Sequence, residues 1–143
     1  MFLTNSAYFL TCESEKVSLK YLLAVLNSTV ADFYFSQKTA RIAGGGMRYT
    51  KQYVEQIPVP EISLVDQKTF ISIVNHILAA KKADPAADTL QWEAEINTLV
   101  FQLYGLSEEE ILQVLTSLPS VSEGERREIQ AQWHIINIQS LRD

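Results

Sequence analysis

Apolar residues recur along most of this chain at the spacing of three and four residues that is typical of an α-helix. The first such stretch follows Ser18, a residue type that favours a helix N-cap, and continues to about Lys38. The spacing predicts a single helix here, buried on more than one side. Its inward positions are Leu19, Leu22, Leu26, Val30 and Phe33.

Four further helices are predicted after Pro60, because a capping residue precedes each apolar stretch. Gly105 follows Tyr104 at a position where a left-handed residue commonly ends a helix. The predicted starts are Ser63 with Asp66, Asp88 with Gln91, Ser107 with Glu110, and Ser122 with Glu125. The predicted inward residues are Phe70, Ile71, Val74, Ile77 and Leu78, then Trp92, Ile96, Leu99, Val100 and Leu103, then Ile111, Leu112 and Leu115, and finally Ile129, Trp133 and Ile136.

Three segments favour structures other than a long helix. Residues 7–11 (AYFLT) form a short apolar run that predicts a strand, and residues 49–57 fit either a helical turn or a strand. Residues 57–60 must be extended, since each proline disfavours a helical conformation in the residue before it. We therefore predict an α+β, mostly helical fold, in which a small mixed α/β part (residues 1–60) precedes a C-terminal bundle of about four helices (residues 61–143).

The composition favours a folded protein of the reducing cytoplasm. Hydrophobic residues make up 47% of the chain and charged residues 20%, which is ordinary for a globular domain. The one cysteine, Cys12, cannot form a disulfide within the chain. The start of the chain does not resemble a secretory signal, and its most apolar run has only six residues, so we expect no membrane segment.

Charge is distributed unevenly between the two halves. The net charge of −5 argues against a nucleic-acid partner, but residues 1–60 carry six basic and four acidic groups, whereas residues 61–143 carry six basic and thirteen acidic groups. Between Lys38 and Lys51 there are four basic groups and no acidic one. A polyanion would be attracted to this local stretch and repelled by the other half.

The residue types that carry most enzyme chemistry do not occur here in the required patterns. Neither His76 nor His134 has a second ligand at metal-binding spacing, and structural histidines are the simpler interpretation. The glycines at positions 44–46 lack the Gly-Lys-Ser/Thr of a phosphate-binding loop, and no nucleophile-elbow pattern is present. We predict no catalytic residue, no cofactor-binding residue and no metal ligand in this chain.

The stretch from Lys38 to Tyr53 has the composition of a DNA-binding loop. Cations contact phosphates, arginine and polar side chains read base edges, and glycine lets the backbone approach a phosphate closely. On composition alone, however, a surface loop whose charges are merely solvated is the more common explanation. The candidate DNA-contacting residues are Lys38, Arg41, Gly44, Gly45, Gly46, Arg48, Tyr49 and Lys51.

Three segments in order add a family resemblance: YLLAVLNSTVADFYF (21–35), GGGMRYTKQYVEQIPVP (44–60) and EINTLVFQLYGLSEEEI (95–111). This arrangement resembles the TaqI-like C-terminal specificity domain of type IIG restriction–modification enzymes, which join an adenine-N6 DNA methyltransferase to a nuclease. It also resembles the specificity subunits of type I restriction systems. Residues 116–143 match no pattern of this kind.

The resemblance implies that the glycine loop and the stretch from Arg41 to Tyr53 read target DNA, and that the helix after Pro60 is a spacer. It also implies that S-adenosylmethionine and Mg²⁺ belong to other domains of the parent enzyme. The Asn/Asp-Pro-Pro-aromatic motif of an adenine methyltransferase does not occur here, since Val59 separates Pro58 from Pro60. No catalytic residue is therefore transferred to this chain.

Two functional hypotheses remain open. In the first, the chain is the DNA sequence-recognition fragment of a restriction enzyme or site-specific adenine methyltransferase, and its partners are double-stranded DNA and the methyltransferase domain. In the second, the acidic helical half, which includes Trp92 and Trp133, is an interaction or spacer module that docks onto the methyltransferase domain without contacting bases.

Overall fold

A computed structural model describes residues 14–38 and 54–140 of the chain. In these residues six α-helices follow one another. They are α1 (Leu19–Leu26), α2 (Thr29–Lys38), α3 (Leu64–Ala83), α4 (Leu90–Leu103), α5 (Glu108–Ser117) and α6 (Glu123–Ser140). None of the helices in the described ranges combines the length and the apolar character that a membrane span requires.

The predicted α+β class is wrong, because the described residues form helices and no strand. Residues 57–62 belong to neither a helix nor a strand, and the carbonyl groups of Pro58, Pro60 and Ile62 accept hydrogen bonds from side chains. The bond from the Ile57 N–H to the Val54 carbonyl (3.3 Å) closes a helical turn just before them. The predicted strand at residues 7–11 lies outside the described residues.

The single helix predicted from Ser18 to Lys38 is in fact two helices. The Asn27 side chain donates to the Leu23 carbonyl (2.9 Å), and the Ser28 hydroxyl donates to the Val25 carbonyl (2.6 Å), so both side chains bond the last turn of α1. The same Ser28 hydroxyl accepts from the Ala31 N–H (3.3 Å) at the start of α2. Short polar side chains at positions 27 and 28 therefore end one helix and begin the next.

The buried face of α1 also differs from the prediction. Tyr21, Ala24 and Val25 are buried, whereas Leu19 and Leu23 are 50% and 42% exposed. Ala24 and Val25 belong to the core cluster that joins α1 to α3, and Leu19 and Leu23 lie on the exposed side of α1. The periodicity of the apolar residues was correct for a helix. Of the predicted inward residues, Leu19 is exposed, Leu22 and Leu26 are partly buried, and Val30 and Phe33 pack against the core.

Most of the predicted helix ends are confirmed. Ser18 and Ser63 are N-caps whose side chains accept backbone N–H groups, and Ser107 forms a complete capping box with Glu110. Gly105 has a φ of 64°, which is the left-handed conformation that commonly ends a helix. The start of α4 is the exception, because Thr89 occupies the N-cap position without a side-chain bond to the helix backbone.

The core consists of two clusters of buried side chains. Cluster one packs α1 against α3 and α4 and contains Tyr21, Ala24, Val25, Phe70, Ile73, Val74, Ile96 and Val100. Cluster two packs α4, α5 and α6 together and contains Ala94, Phe101, Ile111, Val114, Leu115, Leu118, Val121 and Ile129. Val30 of α2 contacts both clusters, so α2 rests on the junction between them.

Cluster one joins residues on both sides of residue 60, where we predict the boundary between the two parts of the chain. The different roles of those parts stay a prediction.

The two tryptophans are packed in the core. Trp92 contacts cluster one and Trp133 contacts cluster two, and both are partly buried. Leu78 and Leu112, predicted to point inward, are 47% and 51% exposed.

Candidate nucleic-acid interface

Of the candidate DNA-contacting residues, the structure describes Lys38. It is exposed and is the last residue of α2, where a cation is favoured by the negative end of the helix dipole. The other seven lie outside the described residues: Arg41, Gly44, Gly45, Gly46, Arg48, Tyr49 and Lys51. The structure thus defines the two places between which the predicted loop runs, namely the end of α2 and the segment that begins at Val54.

On the entry side, α2 is anchored to α4 through Asn97. The Asn97 Oδ1 atom accepts from the Thr29 backbone N–H (2.7 Å) and from the Thr29 hydroxyl (3.0 Å), while its Nδ2 donates to the Glu93 carbonyl (3.1 Å). This side chain supplies an acceptor for the first N–H of α2, which has no partner within the helix. Phe35, only 2% exposed, holds the other end of α2 in the protein interior.

On the exit side, two tyrosine hydroxyls hold the extended proline segment. The Tyr104 hydroxyl donates to the Pro58 carbonyl (2.7 Å), and the Tyr21 hydroxyl donates to the Pro60 carbonyl (2.7 Å). An extended segment without a partner strand needs other donors for its carbonyl groups. The tyrosines supply them from α1 and from the end of α4, and we call this arrangement the tyrosine clamp.

Gln67 of α3 fixes the same region from within the core. It is 1% exposed, its Nε2 donates to the Lys16 carbonyl (2.8 Å) and the Ile62 carbonyl (3.1 Å), and its Oε1 accepts from the Ser18 N–H (2.8 Å). Both hydrogens and the oxygen of the amide are therefore satisfied. One side chain thus links the residues that precede α1 to those that follow the proline segment.

These three anchoring residues, Tyr21, Tyr104 and Gln67, were not among the predicted site residues. For Gln67 a signal exists in the sequence, since positions 67, 70 and 74 share one helical face and a lone glutamine on an apolar face indicates a buried polar contact. For the tyrosines, the sequence shows only that a proline segment needs donors and not which residues supply them.

Burial raises the pKa of Tyr21 from 10.0 to about 12, and charge repulsion from Tyr104 adds to the increase. Burial also raises the pKa of Tyr104. Both pKa values rise because water stabilises the ionised form of a phenol, and burial removes that water. The clamp is therefore built from neutral hydroxyl donors at physiological pH.

The shift predicts a loss of stability at alkaline pH. Because an unfolded chain loses the Tyr21 proton near pH 10 and the folded chain retains it until about pH 12, the contribution of Tyr21 is fully present below pH 10 and decreases above it. We expect the free energy of unfolding to decrease across this window. Urea unfolding between pH 8 and pH 12 measures it, and Tyr21→Phe should make the decrease shallower. An identical pH dependence in both proteins would contradict the assignment.

The histidines and acids of the described residues do not form a metal site. No group of three or more His, Cys, Asp and Glu side chains in residues 14–38 and 54–140 could hold a metal ion. His76 stacks on Trp92, with ring centroids 5.6 Å apart and an angle of 25° between the rings.

Comparisons with known proteins identify the first part of the chain. Residues 1–59 match the family model of the TaqI-like C-terminal specificity domain. This range includes α1, α2 and two residues of the clamp, Tyr21 and Pro58. Residues 1–59 are thus similar to the TaqI-like C-terminal specificity domains, which confirms the resemblance found in the sequence.

A curated relative indicates the kind of protein that contains such a segment. The chain is 31% identical over 107 residues to the type II methyltransferase M.PaeR7I of Pseudomonas aeruginosa, in an alignment that covers 75% of this chain and 16% of the relative. The chain therefore spans only a small part of the length of that protein. No solved structure matches the chain significantly.

Proposed function

We propose that this chain recognises a DNA sequence for a restriction–modification enzyme and positions the DNA for methylation or cleavage by domains other than this one. The observation that carries the proposal is the match of residues 1–59 to a specificity-domain family. The similarity to a type II methyltransferase supports the same class of system.

The anchoring geometry supports the assignment of recognition to the stretch between Lys38 and Tyr53. Asn97 holds the helix that leads into this stretch, and the tyrosine clamp holds the segment that follows it. A loop fixed at both ends loses less conformational entropy on binding than a free one, which favours tight and oriented binding. The local excess of basic residues supplies the attraction for DNA.

Within the loop we assign different roles to arginine and lysine. The planar guanidinium of Arg48 or Arg41 can donate two hydrogen bonds to O6 and N7 of a guanine, which discriminates between bases. Lys38 and Lys51 are point charges and suit phosphate contacts. Gly44, Gly45 and Gly46 allow the backbone to approach the DNA closely.

The chemistry of the whole enzyme belongs to its other parts. We propose a type IIG or related enzyme whose methyltransferase domain transfers a methyl group from S-adenosylmethionine to the N6 atom of adenine, with Mg²⁺ required only for a nuclease domain. In this arrangement the present chain contributes DNA binding and orientation, and none of its residues takes part in bond making.

The test is a DNA-binding titration with cognate and unrelated duplexes at several salt concentrations. We expect Arg48→Ala to weaken cognate binding by about 1–3 kcal/mol, roughly 5- to 150-fold, with a smaller effect on unrelated DNA. Lys51→Ala should weaken both and reduce the salt slope by about one unit. Lys82→Ala, which removes an exposed lysine on the last turn of α3, is the matched control. Unchanged binding by both loop variants would refute the proposal.

A second function, docking of the helical half onto the methyltransferase domain without base contacts, is favoured by the exposed leucines Leu78 and Leu112. The two functions are separable. If residues 44–51 are replaced by a glycine–serine linker and cognate DNA is still recognised by the enzyme, docking alone is the role of this chain. Loss of cognate discrimination supports the first function.

A further inference from the structure

A cleft of about 480 Å³ opens between α1, α2, α3 and α4 and the start of α6. Its described lining residues include none of the clamp residues. The lining residues are Leu23, Ala24, Asn27, Thr29, Asp32, Val74, Ile77, Leu78, Glu93, Ile96, Asn97, Ser120, Val121 and Glu125.

The cleft combines a buried apolar floor with exposed apolar edges. Ala24, Val74 and Ile96 are buried core residues that face it. Leu23 and Leu78, on α1 and α3, are 42% and 47% exposed at its edge. Two exposed leucines beside a concave apolar surface are characteristic of a site that a partner covers.

The charge of the lining selects the chemistry of that partner. Glu93 and Glu125 contribute two carboxylates to the lining, and none of the lining residues in the described ranges is basic. Glu93 accepts from the Thr89 hydroxyl (2.5 Å) and Glu125 from the Ser122 N–H (2.7 Å), and both donors are neutral groups. Both carboxylates lie in the first turn of a helix, where the dipole offsets part but not all of their charge. The cleft therefore attracts cations and repels DNA.

We propose that this cleft binds a segment of the methyltransferase part of the enzyme, with apolar side chains that fill the floor and lysine or arginine side chains that face the carboxylates. The inference rests on the proposed function, because it requires a methyltransferase partner. The alignment covers 16% of the related methyltransferase, so most of a protein of that size lies outside this chain and is available to occupy the cleft.

In the proposed function, the surfaces for DNA and for the protein partner differ in charge. The basic stretch between Lys38 and Lys51 faces DNA in the proposed function, and the acidic cleft is left to a basic protein segment. Opposite charges at the two surfaces would orient the specificity domain, since each surface rejects the partner of the other.

Photo-crosslinking tests the partner directly. A photoreactive benzoylphenylalanine replaces Leu78 in this chain. The chain is expressed together with its methyltransferase part, in the natural arrangement of the two genes or of the one gene. We expect a crosslink from position 78 to a methyltransferase peptide that contains apolar residues and at least one lysine or arginine, identified by mass spectrometry. The matched control is position 135, since Ile135 is 48% exposed but does not line the cleft. A crosslink only to residues 39–53, only to a second copy of this chain, or to no peptide overturns the proposal.

Charge reversal provides a second measurement. Glu93→Lys should reduce the crosslink yield at position 78 by about tenfold or more, because like charges would then meet in the cleft. Glu109→Lys changes the charge equally at an exposed position of α5 outside the cleft and should leave the yield unchanged. Equal yields in both variants overturn the role of the carboxylates.

The DNA titration with Arg48→Ala, made on the same preparation, distinguishes this inference from the proposed function. A crosslink to the methyltransferase together with unaltered DNA binding refutes DNA recognition by the loop but supports docking. Altered DNA binding without the crosslink refutes docking but supports recognition.

Discussion

Replacing Gln67 with leucine is expected to lower the free energy of unfolding by about 3–5 kcal/mol, although the two side chains are similar in size. The substitution removes the partners of the Lys16 carbonyl, the Ile62 carbonyl and the Ser18 N–H at once. Each buried polar group that loses its partner costs about 1–3 kcal/mol. The costs are not strictly additive, because the chain before α1 can move toward water.

Gln91→Leu is the matched control, because Gln91 is exposed on α4 and surface changes alter stability by about 0.5 kcal/mol or less. Chemical unfolding of both variants gives the comparison. Gln67→Leu should in addition weaken cognate DNA binding, since the segment after the predicted loop loses an anchor. A stability change in Gln67→Leu as small as that of Gln91→Leu would show that the amide does not link the two segments.

Truncation of Phe101 is expected to cost about 3–5 kcal/mol. The side chain is completely buried in cluster two, between α4 and the helices α5 and α6. Phe101→Ala removes apolar contacts and leaves a cavity that the surrounding helices fill only in part. The loss is a large fraction of the roughly 5–15 kcal/mol that stabilises a typical domain.

Leu112→Ala is the control for this prediction, because Leu112 is 51% exposed on α5. Thermal and urea unfolding should show a small change for Leu112→Ala and a large one for Phe101→Ala. Since Val30 and Phe33 of α2 pack against cluster two, Phe101→Ala should also loosen α2, and hydrogen exchange of α2 amides would report it. If hydrogen exchange of the α2 amides is unchanged in Phe101→Ala, the packing of cluster two does not hold α2 in place.

Features that depend on local sequence were predictable. The serine caps at positions 18, 63 and 107 and the left-handed Gly105 rely on contacts between residues at most a few positions apart. The four helices after Pro60 follow from the apolar periodicity of the sequence. The resemblance to a specificity domain also depends only on the order of residues, and the family match confirms it.

Features that depend on distant residues were not predictable in the same way. The predicted α/β part is contradicted because the extended proline segment finds its donors on α1 and α4 and not on a neighbouring strand. The exposure of Leu19 and Leu23 follows from the way in which α1 lies on α3. Periodicity identifies a helix with an apolar side, but packing against another helix decides which residues that side includes.

The sequence by itself determined the helical periodicity, most of the caps, the excess of basic residues between Lys38 and Lys51, and the resemblance to a specificity domain. Only the tertiary structure decided that Gln67 and two tyrosines anchor the chain around the predicted loop, and that an acidic cleft lies beside two exposed leucines. The physical reason is the separation of the partners along the chain. Capping bonds join near neighbours, whereas Tyr21 and Pro60 or Tyr104 and Pro58 meet only when the helices have packed.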